Sequence, residues 1–104
     1  MLPPTTLWLP MAISAERAET IALQALAWLI GNDELLPVFL GSTGTSEADV
    51  RTRAQDLEFL GSVLDFLMMD DAWVVALCDA NGLSYEEPMS ARVMLPGGDQ
   101  VHWT

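Results

Sequence analysis

The chain has no lysine. Its only fixed cations are four arginines against fifteen aspartates and glutamates, a formal charge of −11 over 104 residues. Nucleic acids and anionic membranes are held through lysine and arginine, so no nucleic acid and no membrane is expected among the partners. A basic partner suits such a surface better. Cysteine is nearly absent: Cys78 stands alone, which excludes an intrachain disulfide and fits a reducing compartment. The one histidine, His102, lies near the end in "DQVHWT" with no recognisable catalytic context, and reads as a tail residue. Long apolar runs are missing too. The opening "MLPPTTLWLPM" has no basic residue and is broken by prolines, so it fits neither a secretory signal nor a membrane span. Cytoplasm is the expected location, and Met11 is a second candidate start because the helical pattern begins just after it.

What remains is a helical pattern. A hydrophobic share of 51% with four tryptophans argues for a folded globule over a disordered chain. A chain this size buries roughly 60 to 70% of its unfolded surface, enough for one core. The domain layout expected is an N-terminal arm over 1–13, one all-helical domain over 14–98 and a tail over 99–104. No run alternates as a strand. Ser14 caps a first helix that runs to about Ile30 and stops at Gly31. Asp33 to Leu40 forms a short second one, with Pro37 near its first turn. Ser46 caps a third through about Gln55, with Asp49 three positions on as a variant capping box. Asp56 opens a fourth with Leu60, Val63, Leu64 and Leu67 at buried-stripe spacing. Asp70 and Asp71 begin a fifth, stopped by Asn81-Gly82, and Ser84 with Glu87 forms a capping box for a sixth, ended by Pro96-Gly97-Gly98.

The fold class expected is therefore all-α, a compact globule of about six short helices. Sliding the chain against itself by 38 positions places Leu26 on Leu64, Trp28 on Phe66, Leu29 on Leu67, Gly44 on Gly82 and Ser46 on Ser84. This suggests two pseudo-symmetric three-helix units, 24–54 and 62–92, with Gly44 and Gly82 in the left-handed conformation that ends a helix.

The stretch "TGTSEADVRTRA" (43–54) has the sound of a DNA-reading helix-turn-helix. The repeat argues otherwise. Its counterpart "NGLSYEEPMSAR" keeps glycine and serine but puts Met89 for Arg51 and Ala91 for Arg53. The supposed recognition helix also opens with Glu47 and Asp49, where a reader would meet phosphate. Arg51 and Arg53, two positions apart, point about 200° from each other on a helix.

Other chemistry-bearing residues have plain structural readings. Cys78 shares a helix face with Val74 and is expected to be a buried hydrophobe. Asp33 and Asp71 fall at helix starts and are expected to cap. Asp65, Asp70 and Asp71 cluster in sequence but lack the spaced loop of a calcium-binding hand. "LPGGDQ" has neither the lysine nor the spacing of a phosphate loop. No catalytic residue, metal site or cofactor is implied.

Three stretches carry a family likeness: "ALQALAWLIGNDELLPVFLGSTG", "FLGSVLDFLMMDDAWVVALCDANGLS" and "ARVMLPGG". Over about 20–98 the chain resembles an uncharacterised family of small helical alphaproteobacterial proteins, a domain of unknown function. The resemblance implies an all-helical bacterial cytoplasmic protein and no activity.

Two functions of different class remain. The first is a non-enzymatic protein-interaction or small regulatory module, docking an unidentified protein partner or a second copy. Its candidate surface is a second apolar line on helices 1 and 4, formed by Ile21, Trp28, Phe59 and Phe66. If both helices are central, that line is covered instead. The alternative is a small hydrolase or metal-dependent enzyme using the aspartates near Asp70, which requires a pocket with convergent carboxylates.

Overall fold

The computed structural model describes residues 13–96 and contains six helices and, among those residues, no strand. They are α1 (Ala15–Ile30), α2 (Leu36–Thr43), α3 (Glu47–Thr52), α4 (Leu57–Leu67), α5 (Asp71–Asn81) and α6 (Glu87–Val93). The arm with Leu7, Trp8 and Met11, the Gly97-Gly98 stop and the tail with His102 lie outside the described residues.

Helix ends follow local chemistry closely. Ser14 accepts from the Arg17 amide at 3.0 Å to start α1. Asp56 accepts from Glu58 and Phe59 to start α4, and Asp70 accepts from Ala72 at 2.8 Å to start α5. Ser46 and Asp49 close a reciprocal box at the head of α3. Gly44 and Gly82 are the only described residues with positive φ, at 70° and 69°. In each case one carbonyl, Leu40 or Cys78, accepts from both the glycine and the residue after it. Leu40 and Cys78 are themselves 38 apart, so the helix-ending geometry recurs with the sequence period.

Four expected boundaries move, each for a steric or hydrogen-bonding reason. Asp33 does not cap. Asn32 instead holds the turn ahead of the helix, its side-chain oxygen accepting from the amides of Glu34 and Leu35 at 3.0 Å, and α2 starts at Leu36 with no side-chain cap and Pro37 in its first turn. Asp71 likewise yields to Asp70 as the cap. Ser84 makes only half its box: Glu87 accepts from the Ser84 amide at 3.0 Å, but the serine hydroxyl lies against Glu86. Pro88 explains this, because a helix begun at Ser84 would need a Pro88 N–H that does not exist, so α6 starts at Glu87 with proline in its first turn. Finally, α3 stops at Thr52, and Arg53 turns back over Phe59.

α1 and α4 are central. Ala18, Ile21, Ala22, Ala25, Leu26 and Leu29 of α1 are buried, as are Phe59, Leu60, Gly61, Val63, Leu64, Phe66 and Leu67 of α4. α6 lies most closely on α1 and also on α4, whereas α3 makes no comparable contact with either. The two units thus share helix order and the glycine stop of their middle helix, but neither helix-start chemistry nor tertiary placement.

A clamp explains the difference. Arg92 on α6 is 8% exposed and grips Asp65 on α4 through two hydrogen bonds, Nε to Oδ1 at 2.7 Å and Nη2 to Oδ2 at 3.0 Å. Its Nη1 donates to the carbonyls of Leu95 and Pro96 at 3.4 and 3.2 Å. Gly61 makes room: a Cβ there would meet Nη1 at 2.8 Å and the Pro96 carbonyl at 3.3 Å. The matching positions of the first unit are Leu23, Ala27 and Ala54, so that unit has neither the charges nor the gap to seat its third helix the same way.

Candidate functional site

The apolar line expected to form a partner surface is internal. Ile21, Phe59 and Phe66 are buried, and Trp28 is half-buried against the same core. Over Phe59 and Phe66 the cover comes from α2 and α5. Phe39 stands edge-on to Phe59 and Phe66, with ring centroids 6.0 and 5.2 Å away, and Trp73 stacks on Phe66 at 5.1 Å. Two apolar faces on each central helix meet two sets of neighbours.

Carboxylates near Asp70 do not converge. Asp65 is held by Arg92, Asp70 caps α5, and among the described residues no three His, Cys, Asp or Glu side chains gather as cation ligands. The arginines do not form a basic face either. Arg17 pairs with Glu87 at 3.2 Å and Arg53 with Asp56 at 3.7 Å, Arg92 is buried on Asp65, and Arg51 lies beside Glu47. The described helices include none long and apolar enough to cross a membrane.

Cys78 is fully buried and its thiol donates weakly to the Ser84 carbonyl at 3.4 Å. Burial first, then the carboxylates of Glu87 and Asp79, push the thiol pKa up, so it stays protonated and unreactive. The folded value lies above the unfolded one. Stability is therefore full below about pH 8.5, the ordinary thiol value, and declines as pH rises beyond it because the unfolded chain loses the proton first. Iodoacetamide is expected to leave native Cys78 unmodified and to label it on unfolding. Fast labelling without denaturant would contradict the burial. Cys78→Ala should remove the first part of the alkaline decline.

The surface with a distinct character lies where α5 turns into α6. Other exposed apolar side chains, such as Leu23, Val38 and Met69, are individually ordinary, as on most proteins. Here three fall in line: Tyr85 in the lead-in turn, then Met89 and Val93 on α6, at 56, 64 and 72% exposure and four residues apart. The inward side of α6, Pro88, Ala91 and Arg92, is buried, so this outer line has no covering element among the described residues. Beside it lies a hollow of about 130 Å³ lined by Met68, Asp71, Val74, Tyr85, Pro88 and Met89. Tyr85 also lines a wider, open depression of about 340 Å³ together with Asp79, Leu83, Ser84 and Glu86. The Tyr85 hydroxyl donates to Asp79 at 2.9 Å, which ties the ring, a lining residue of both hollows, to α5. That hydrogen bond, followed by the aspartate's charge, pushes the phenol pKa up.

The spacing of Tyr85, Met89 and Val93 is visible in the sequence, but those positions continue the "NGLSYEEPMSAR" pattern and look like any helix stripe. Spacing tells that three side chains share a face, not which side of the helix the rest of the chain will occupy.

One protein family, described as "Protein of unknown function (DUF3572)", matches residues 15–98. No curated protein and no solved structure matches the chain.

Proposed function

The chain belongs to the DUF3572 family, and we propose that it acts as a non-enzymatic protein-interaction module whose docking surface is the α5–α6 face. The observation that carries this reading is the line of Tyr85, Met89 and Val93, exposed on a chain of formal charge −11. An apolar patch rimmed by polar groups on an otherwise acidic surface is unfavourable to leave in water and gains by being covered. Methionines suit such a face because their flexible, polarisable side chains adapt to a partner's shape. The aspartates near Asp70 favour no enzymatic reading, since Asp65 and Asp70 are each engaged in holding the fold.

A photoreactive residue in place of Met89, introduced in the living source cell, is expected to cross-link a discrete protein, while the same residue at exposed Thr20 on α1 is not. Absence of an adduct from Met89, or equal adducts from both positions, would refute the docking surface. A self-adduct would identify the homodimer.

Nucleic acid is not the partner in this reading. Duplex DNA should not be retarded even at low salt, where electrostatic attraction is strongest. Retention that weakens steeply with salt and disappears with Arg51→Ala and Arg53→Ala would overturn that exclusion.

A further inference from the structure

We infer that the α5–α6 face receives a cationic amphipathic helix from another protein, an inference that rests on the docking reading above. Two dissimilar hollows share one lining residue, Tyr85. The first, between Met68, Val74, Pro88 and Met89, is apolar with a single acid, Asp71, at its edge. The second presents the carboxylates of Asp79 and Glu86 above Leu83. An occupant that satisfies both must offer an apolar side chain and a cation near each other. Neighbouring side chains three or four positions apart on an amphipathic helix meet that demand. The shared ring suits both groups, since its face attracts a guanidinium or ammonium and its edge packs against aliphatic carbons.

Charge decides between this occupant and a second copy of the chain. A second copy brings another formal charge of −11 and the same carboxylates to the interface. Three of its four arginines are already engaged, Arg92 on Asp65, Arg17 with Glu87 and Arg53 with Asp56, which leaves exposed Arg51 as a single guanidinium against that charge. A lysine- or arginine-bearing helix finds attraction at Asp71, Asp79 and Glu86 and burial at Met89 and Val93.

The full chain can be titrated into a synthetic helix-forming peptide with leucines on one face and arginines on the other, followed by fluorescence anisotropy. Saturable binding that weakens as salt rises is expected. Met89→Ser should weaken it roughly tenfold, the equivalent of losing one apolar anchor. Asp79→Asn combined with Glu86→Gln should weaken it at least as much. Asp33→Asn combined with Glu34→Gln makes the same charge change at exposed sites before α2 and should leave affinity unchanged. A peptide with glutamate in place of each arginine should not bind.

Equal weakening by both charge-neutralised pairs would mean that the peptide samples any acidic surface, and would overturn the inference, as would indifference to Met89→Ser or binding of the glutamate peptide. The cross-link at Met89 separates this failure from failure of the docking reading. A discrete cross-linked partner with no peptide binding leaves the docking surface standing and sinks only the cationic helix, whereas no cross-link at all sinks both.

Discussion

Phe39→Ala is expected to lower the unfolding free energy by about 3 to 5 kcal/mol, the range for removing a fully buried aromatic ring. Phe39 is 0% exposed and is the means by which α2 covers α4. Its ring sits edge-on to both Phe59 and Phe66, geometry that adds to burial because the positive ring edge faces the negative ring face. Alanine would leave a cavity walled by the two remaining rings, which are anchored on one helix and cannot both collapse into it. A domain of this size has only about 5 to 15 kcal/mol to lose, so the variant should approach the threshold of folding at physiological temperature. Val38→Ala, next in sequence but exposed, should change stability by no more than about 0.5 kcal/mol. Denaturant titration of both variants measures the contrast. Equal small losses would show that α2 does not cover α4 in solution.

The Arg92–Asp65 clamp should be asymmetric. Asp65→Ala is expected to cost about 3 kcal/mol, because it leaves a guanidinium buried with only the Leu95 and Pro96 carbonyls as partners. Arg92→Met should cost less, about 1 kcal/mol. It keeps most of the side-chain stem's packing, and the Asp65 side chain, 42% exposed, can turn to water once its partner is gone. Equal costs would mean that the pair behaves as an ordinary surface salt bridge, and a larger cost for Arg92→Met would mean that the arginine acts chiefly through the two carbonyls. Gly61 provides an internal check. Alanine is the better helix former by about 1 kcal/mol, yet at this position its Cβ would press on the guanidinium. Gly61→Ala should therefore help only in the Arg92→Met background.

Helix number and most helix ends are legible in the sequence because they are settled within a few residues. Ser14, Asp56 and Asp70 accept from amides two or three positions on, and Gly82 takes a backbone conformation that its own missing Cβ permits. Where the local pattern misleads, a nearby competitor is responsible: Asn32 displaces Asp33 as the acceptor for the amides of the turn before α2, and Pro88 removes the donor that a helix begun at Ser84 requires. The burial of Cys78 is also readable, since its face already carries apolar neighbours.

Residues far apart in sequence decide the rest. The period of 38 describes the glycine stops of α2 and α5 but not the helix starts, since Ser46 caps and Ser84 does not. Whether the third helix of each unit docks depends on Arg92 finding Asp65 across 27 positions and on Gly61 leaving it room. Nothing in the spacing of any one of those residues discloses the other two. The apolar line of Ile21, Trp28, Phe59 and Phe66 has the pattern of a surface stripe and lies in or against the core, with Phe39 of α2 covering its Phe59 and Phe66 end. The line of Tyr85, Met89 and Val93 has the same kind of pattern and stays outside because α6 turns Ala91 and Arg92 inward. Sequence alone determined that these faces are apolar, since hydrophobicity belongs to each side chain. Only the tertiary structure decided which of them water would still touch, because covering a face requires another element with the shape and charge to sit on it.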